Sequence, residues 1–168
     1  MELFDAINSR ASSGRVMEPG PSPEQLEKLI AAAGRAPDHG RLKPWRFVVV
    51  NGAAREVFAS AVAEARRARL PDMTDDQIVA EKDKVRRSPT IIVVGCAVTP
   101  GNNKVPEIEQ VIAVGAAVEN LFLAANAMGI GVMWKTGPAA YDAGVKAAVG
   151  LKAHDHIVAI LHLGTRVK

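Results

Sequence analysis

The sequence predicts a single domain of the α+β or α/β sandwich type, with helices packed on one central sheet. Three observations carry that expectation. Short apolar runs, Phe47-Val48-Val49-Val50 and Ile91-Ile92-Val93-Val94, read as buried strands. Helix-length segments separate the strands, and one of them opens with a full capping signature. The chain has 168 residues at 48% hydrophobic content, enough for one core and too few for two large domains. Helices come first and strands then alternate with helices, which is the order of a sandwich on one sheet.

Taken in order, Glu2 to Asn8 carries Leu3, Phe4, Ala6 and Ile7 at helical spacing and stops near Ser9-Arg10. Ser22-Pro23-Glu24-Gln25 supplies an N-cap serine, a proline at the first helical position and a capping-box glutamine, followed by Leu26, Leu29, Ile30 and Ala33 on one face. That helix ends in Arg35 to Phe47, a loop whose prolines Pro37 and Pro44 forbid regular helix. The loop holds three arginines, a lysine, a histidine, an aspartate and an indole, a mixture suited to an anionic, planar, aromatic ligand. Phe47 to Asn51 is expected as a strand buried on both faces in mid-sheet, and Ala53 to about Arg69 as a helix.

A turn at Pro71 to Asp76 with a threonine cap leads into Gln77 to Arg86, a charged helix, so that Pro71 to Ser88 reads as a surface lid. Thr90 to Cys96 is the second strand. After Gly101-Asn102-Asn103 a long helix runs from about Glu107 to Met128, too polar at Glu119, Asn120 and Asn126 for lipid, with small residues that permit close helix contacts in a core or subunit interface. Gly129-Ile130-Gly131 turns into the strand Val132 to Lys135. Pro138 to Val149 is expected as a helix and Ile157 to Gly164 as the last strand.

Composition narrows the function. The net charge is +3 with a pI near 9.2, and acidic residues are mixed with basic ones throughout, unlike a nucleic-acid stripe. Aromatic residues at 4% give no stacking platform for bases. A lone cysteine, Cys96, rules out a disulfide framework and reads as a buried small hydrophobe. The acidic, amphipathic start at Met1 to Asp5 does not read as a secretory signal, which points to the cytoplasm. His154 and His156 flank Asp155 but lack a third metal ligand nearby, and His162 reads as a packed or interfacial histidine. There is no Gly-x-Ser-x-Gly elbow, and Gly129-Ile130-Gly131 precedes a strand rather than opening a helix, which disfavours a Rossmann phosphate turn.

What remains is a set of cations and small polar residues at element ends: Arg10 with Ser12, Arg35 with His39, Lys135 with Thr136, and Arg166 after Gly164-Thr165. Together they suit a phosphorylated aromatic cofactor, because arginine grips phosphate in a bidentate way and hydroxyls add donors.

Several segments, in order along nearly the whole chain, resemble the short bacterial members of the nitroreductase-like flavoprotein family. They are Asn8-Ser9-Arg10-Ala11-Ser12, Arg35-Ala36-Pro37-Asp38-His39 with Lys43-Pro44-Trp45, and Asn103-Lys104-Val105-Pro106 with Glu109-Gln110. Ala124 to Gly131, Trp134-Lys135-Thr136-Gly137 and Leu163-Gly164-Thr165 follow in step. Two positions depart from the family pattern: Lys43 stands where glutamine often precedes Pro-Trp, and Ala11 where a basic residue is common.

The resemblance implies an α+β three-layer sandwich with a mostly antiparallel sheet, forming a homodimer with FMN in clefts at the subunit interface. Arg10, Ala11, Ser12, Trp134, Lys135 and Thr136 would contact the flavin, Arg35 and His39 would reach it from one or other chain, and Arg166 would serve the phosphate. Ala124, Ala125, Asn126, Ala127, Met128 and Gly129 match a segment that the family suggests as a pyridine-nucleotide contact, and they fit equally well as dimer core. The implied activity is reduction of the flavin by NADH or NADPH and then of a nitroaromatic, quinone or similar small acceptor, with Lys135 stabilising charge on the reduced ring. A flavin-storage protein without turnover is the other reading. No nucleic acid, membrane or metal is expected.

Overall fold

A computed structural model describes residues 1–167. The elements are α1 (Leu3–Ser9), β1 (Val16–Met17), α2 (Pro23–Ala33), β2 (Trp45–Val50), α3 (Ala54–Arg69), α4 (Asp75–Arg86), β3 (Thr90–Cys96), α5 (Glu107–Ala127), β4 (Gly131–Lys135), α6 (Ala143–Ala148) and β5 (His156–Arg166), with single 3₁₀ turns at His39–Arg41 and Pro138–Tyr141. Local chemistry sets several boundaries. Ser22 and Thr74 both close reciprocal capping boxes, with Gln25 and Gln77. Asp142 accepts hydrogen bonds from Gly144 N and Val145 N to start α6.

The strands form one antiparallel sheet of order β1-β5-β3-β2, with β4 also pairing with β5. Alternation along β3 builds two cores. Ile92, Val94 and Cys96 face α2 and α5 with Leu29, Val114, Val118 and Leu121, while Ile91 and Val93 face α3 and α6 with Phe58 and Val145. Each such fully buried Leu, Ile or Val contributes roughly 1.5–3 kcal/mol. The result is the α+β three-layer sandwich expected from the resemblance. Burial pushes the Cys96 thiol up to about 11, in keeping with a packing role.

The structure corrects four expectations. Strand β2 starts at Trp45 and lies at the sheet edge rather than in the middle, paired only with β3, and Phe47, Val48 and Val49 are half-buried. Its continuous apolar run follows from helices covering both faces, since Phe47 and Val49 lie against one core and Val48 against the other. The loop before it contains the His39–Arg41 turn of 3₁₀ helix. The span Pro138 to Val149 is two pieces, because extended Asp142 breaks it in order to cap α6. Strand β5 runs from His156 to Arg166, longer than the apolar pattern, because its ends pair with β3 and with the two-residue β1.

Candidate functional site

The segment after α1 is tied to the start of β4 and the C-terminal half of α5. Ser13 N donates to Val132 O at 2.8 Å, and the Arg10 guanidinium lies 5.0 Å from the Phe122 ring centroid with Nε 3.9 Å from Glu119. Gly131 makes this approach possible, because a Cβ there would meet Arg166 Cγ at 2.8 Å. Buried Asn126 is the knot of this corner: its Nδ2 donates to Ala6 O and Ser9 Oγ, both at 2.9 Å, and its Oδ1 accepts from Arg166 Nη2. Arg10, Ala11, Ser12, Asn126 and Arg166 are thereby gathered in one place, with Ala11 and Ser12 exposed.

Beside this corner a cleft opens on the sheet face that α3 and α4 cover. A smaller nook, about 180 Å³, is lined by Ser13, Gly14, Arg15, Lys84, Arg87 and Lys135 among others, and no carboxylate is among its lining residues. A larger cavity, about 400 Å³, shares Lys84, Lys135 and His162 with the nook and also takes in Thr136. Burial lowers the Lys135 pKa, and the nearby Arg87 and Lys84 charges lower it further, so positive charge here is crowded and poorly compensated. At the floor, Ser88 Oγ and His162 Nδ1 lie 2.7 Å apart, both buried. Burial, with Lys135 adding to it, holds His162 down at about 4, so its imidazole is neutral at pH 7.

Other candidate residues lie elsewhere. Trp134 turns its indole to the opposite face from Lys135, as strand alternation requires, and donates from Nε1 to Val158 O at 3.3 Å. His39 Nδ1 is 2.6 Å from Glu109 near the N-terminus of α5, and Arg35 is exposed at the end of α2. At 1.5 Å per residue, Glu109 lies roughly 15–20 Å along α5 from Glu119 and Phe122, where Arg10 sits. Within one chain, then, Arg35 and His39 form a group apart from Arg10. In the Ala124–Gly129 segment Ala125 and Asn126 are buried, and Ala127 and Gly129 are exposed. His154 and His156 do not converge: His156 Nε2 is 2.6 Å from Glu107, and His154 is 3.6 Å from Asp155.

The family model described as "Nitroreductase family" matches residues 16–165. The chain belongs to this family. It is 37% identical over 168 residues to an Escherichia coli (strain K12) protein named "Putative NAD(P)H nitroreductase YdjA", covering 98% of this chain and 88% of that one. Among solved structures, a nitroreductase-like family protein from Bacillus cereus superposes with a TM-score of 0.85 at 25% identity, covering 100% of this chain and 87% of the other. A Bacteroides fragilis nitroreductase with bound FMN matches with a TM-score of 0.73 at 19% identity, covering 99% of this chain and 89% of the other, a likeness of fold. Within this nitroreductase-family chain the cleft recruits Arg15, Lys84, Arg87, Ser88 and His162, none of which the sequence reading singled out as ligands. Lys84 and Arg87 lie in or beside a helix charged along its whole length, and only its docking against α3 shows which cations turn inward.

Proposed function

We propose that this protein is an FMN-dependent oxidoreductase that draws electrons from NADH or NADPH and delivers them to a small oxidised acceptor such as a nitroaromatic or a quinone. The observation that carries the reading is the nook where Arg15, Lys84, Arg87 and Lys135 converge without a carboxylate; its Ser13 and the Arg166 side chain both pack over Gly131, and Arg10 and Ser12 lie just before Ser13 in the chain. This donor set fits a phosphorylated, planar, electron-accepting group. FMN, when bound, supplies the two-electron chemistry that the side chains of this chain lack.

The chain's own residues bind and polarise. Arg10 and Arg166 hold the phosphate, helped by the exposed backbone and hydroxyl of Ala11 and Ser12. Lys135, with Lys84 and Arg87 behind it, sets positive charge against the negative charge that builds up on reduction. Thr136 adds a polar group at the same edge, and Trp134 contributes backbone while its indole anchors β4. The exposed end of α5 at Ala127–Gly129 contacts the nucleotide. Helix α4, with the turn before it, is the lid of the cleft.

Arg35 and His39 join the site in a homodimer. A two-fold axis across α5 runs the two helices antiparallel, so the Glu109 end of one protomer meets the Arg10 corner of its partner. The surface suits this: Ile108 and Ile112 are each 64% exposed, and half-buried Gly115 and Ala116 continue the same face.

The test is anaerobic mixing of the purified, flavin-loaded protein with NADH and, separately, NADPH. Bleaching of the flavin band supports the reductase, and a persistent oxidised spectrum supports storage. Arg10→Ala removes one charge-assisted phosphate contact of roughly 1.5–3 kcal/mol and is expected to weaken FMN affinity about 10–100-fold. Unchanged affinity in an equilibrium titration removes Arg10 from the site.

A further inference from the structure

The larger cavity has a different character from the nook. Beyond His162 its lining is apolar at Phe58, Val62, Ile160, Pro138 and Ala139. Its rim carries four cations, Arg66, Arg69, Lys84 and Lys135, against one carboxylate, Glu81. Glu81 is committed already, 2.9 Å from Arg66 Nη1 and 2.7 Å from Lys84 Nζ. Burial favours its protonation, but Lys84 and Arg66 outweigh that and hold it ionised below the usual range.

Two of the remaining groups are left without a close counter-ion. Arg69 has only Asp142, 4.0 Å away, whose other oxygen caps α6. Lys135 has no ion pair among the described residues, and of the charges acting on it Arg87 and Lys84 outweigh the single carboxylate, Glu81, which Arg66 and Lys84 already hold. The Nε–H of Arg66 is buried with no acceptor among the described residues. An uncompensated buried donor and a cationic rim with an apolar lining are what a flat hydrophobic body with one anionic group would satisfy. A volume of about 400 Å³ accommodates one or two rings, near the lower end of the small-ligand range.

We propose that this cavity is the acceptor pocket and selects planar aromatic acceptors that bear a carboxylate, gripped at the Arg66–Arg69 end. The proposal rests on the flavin reading above, because the cavity meets the flavin's nook at Lys84, Lys135 and His162. The arginine fork matches carboxylate geometry, and the apolar lining takes the ring. The reducible group then points towards Lys135 and the nook.

A matched probe pair isolates the charge: 4-nitrobenzoate and methyl 4-nitrobenzoate. Reduction of either to the nitroso compound takes two electrons and two protons and releases one oxygen as water; NAD(P)H supplies hydride and solvent supplies the second proton. The ester group withdraws electrons more strongly than the carboxylate, so intrinsic reactivity favours the ester. A carboxylate preference must therefore come from the protein. The flavin-loaded wild type is expected to show kcat/KM at least tenfold higher for 4-nitrobenzoate, falling towards parity as salt is raised. Arg69→Gln and Arg69→Glu are expected to lower that ratio by about tenfold and by more, respectively, mainly through KM. The ratio is taken within each variant, so a change in folded fraction cancels.

Calorimetric titration with benzoate, which cannot be reduced, reads the pocket without turnover, and benzamide is the neutral control. Binding of benzoate over benzamide that is lost in Arg69→Glu supports the pocket. Equal binding of the two, binding of neither, or a preference unchanged in the Arg69 variants overturns it. A protein that takes up no FMN yet binds benzoate in an Arg69-dependent way overturns the flavin reading and keeps an anion pocket. One that bleaches with NAD(P)H but prefers the ester keeps the flavin reading and overturns this proposal.

Discussion

His162 illustrates how a single buried group reports on the cleft. It sits in β5 with 6% of its surface exposed, 2.7 Å from Ser88 and under the Lys135 charge, and its pKa falls to about 4. In the unfolded chain a histidine titrates near 6.5, so between about pH 4 and 6.5 the unfolded state binds more protons than the folded state. Folding stability therefore rises with pH across that window. The advantage is complete above about pH 6.5 and is lost as pH falls to about 4. The loss amounts to roughly 3 kcal/mol. His162→Gln, which keeps a polar side chain next to Ser88, is expected to flatten this part of the pH–stability curve in urea melts from pH 4 to 8, relative to wild type. Parallel curves for the two proteins would show that His162 does not titrate between the folded and unfolded states.

Helix α5 is the element on which packing turns and on which the proposed assembly rests. One side carries Val114, Val118 and Leu121 into the core, while Ile108 and Ile112 stand on the opposite face with 64% exposure each. In the proposed homodimer that face is covered, so Ile112→Glu buries a charge in the interface. Sedimentation is expected to show a dimer for wild type and at least tenfold weaker association for the variant. FMN affinity should fall in parallel, because the partner's loop leaves the site. A wild type that sediments as a monomer while holding FMN would remove the two-fold arrangement. The same helix shows what can be read before folding and what cannot. Its length, the capping box at Ser22, the threonine cap at Thr74 and the strands at Ile91 and Val132 are visible because capping and apolar period act within a few residues. The edge position of β2 and the two-residue β1 are not visible, since both depend on which strand lies alongside. So it is with the candidate site: Arg10, Ser12, Lys135 and Arg166 stand out at element ends, whereas Lys84 and Arg87 are lost among the other charges of α4, and Trp134 turns away from Lys135 for a reason of strand geometry alone.

For the whole molecule, the cleft is a place where folding and binding are linked. Burial first, and then the Arg87 and Lys84 charges, lower the Lys135 pKa, and an anionic cofactor in the nook would offset that crowding of positive charge. A ligand that binds only the folded state stabilises it by RT ln(1 + [L]/Kd), about 2.7 kcal/mol at a hundredfold excess over Kd. In a chain of this size each kcal/mol moves the melting temperature by about 2–4 °C. Cofactor-stripped protein is therefore expected to melt about 5–10 °C higher when FMN is added at that excess. Riboflavin has the same ring system without the phosphate, so in the proposed site it engages the nook but neither Arg10 nor Arg166. At equal concentration its shift should be clearly smaller, and Arg10→Ala should bring the FMN shift down towards the riboflavin value. Equal shifts from the two flavins in wild type would mean that the phosphate is not held by these arginines, and the cofactor would then have to be oriented by the ring contacts at Lys84, Arg87 and Lys135 alone.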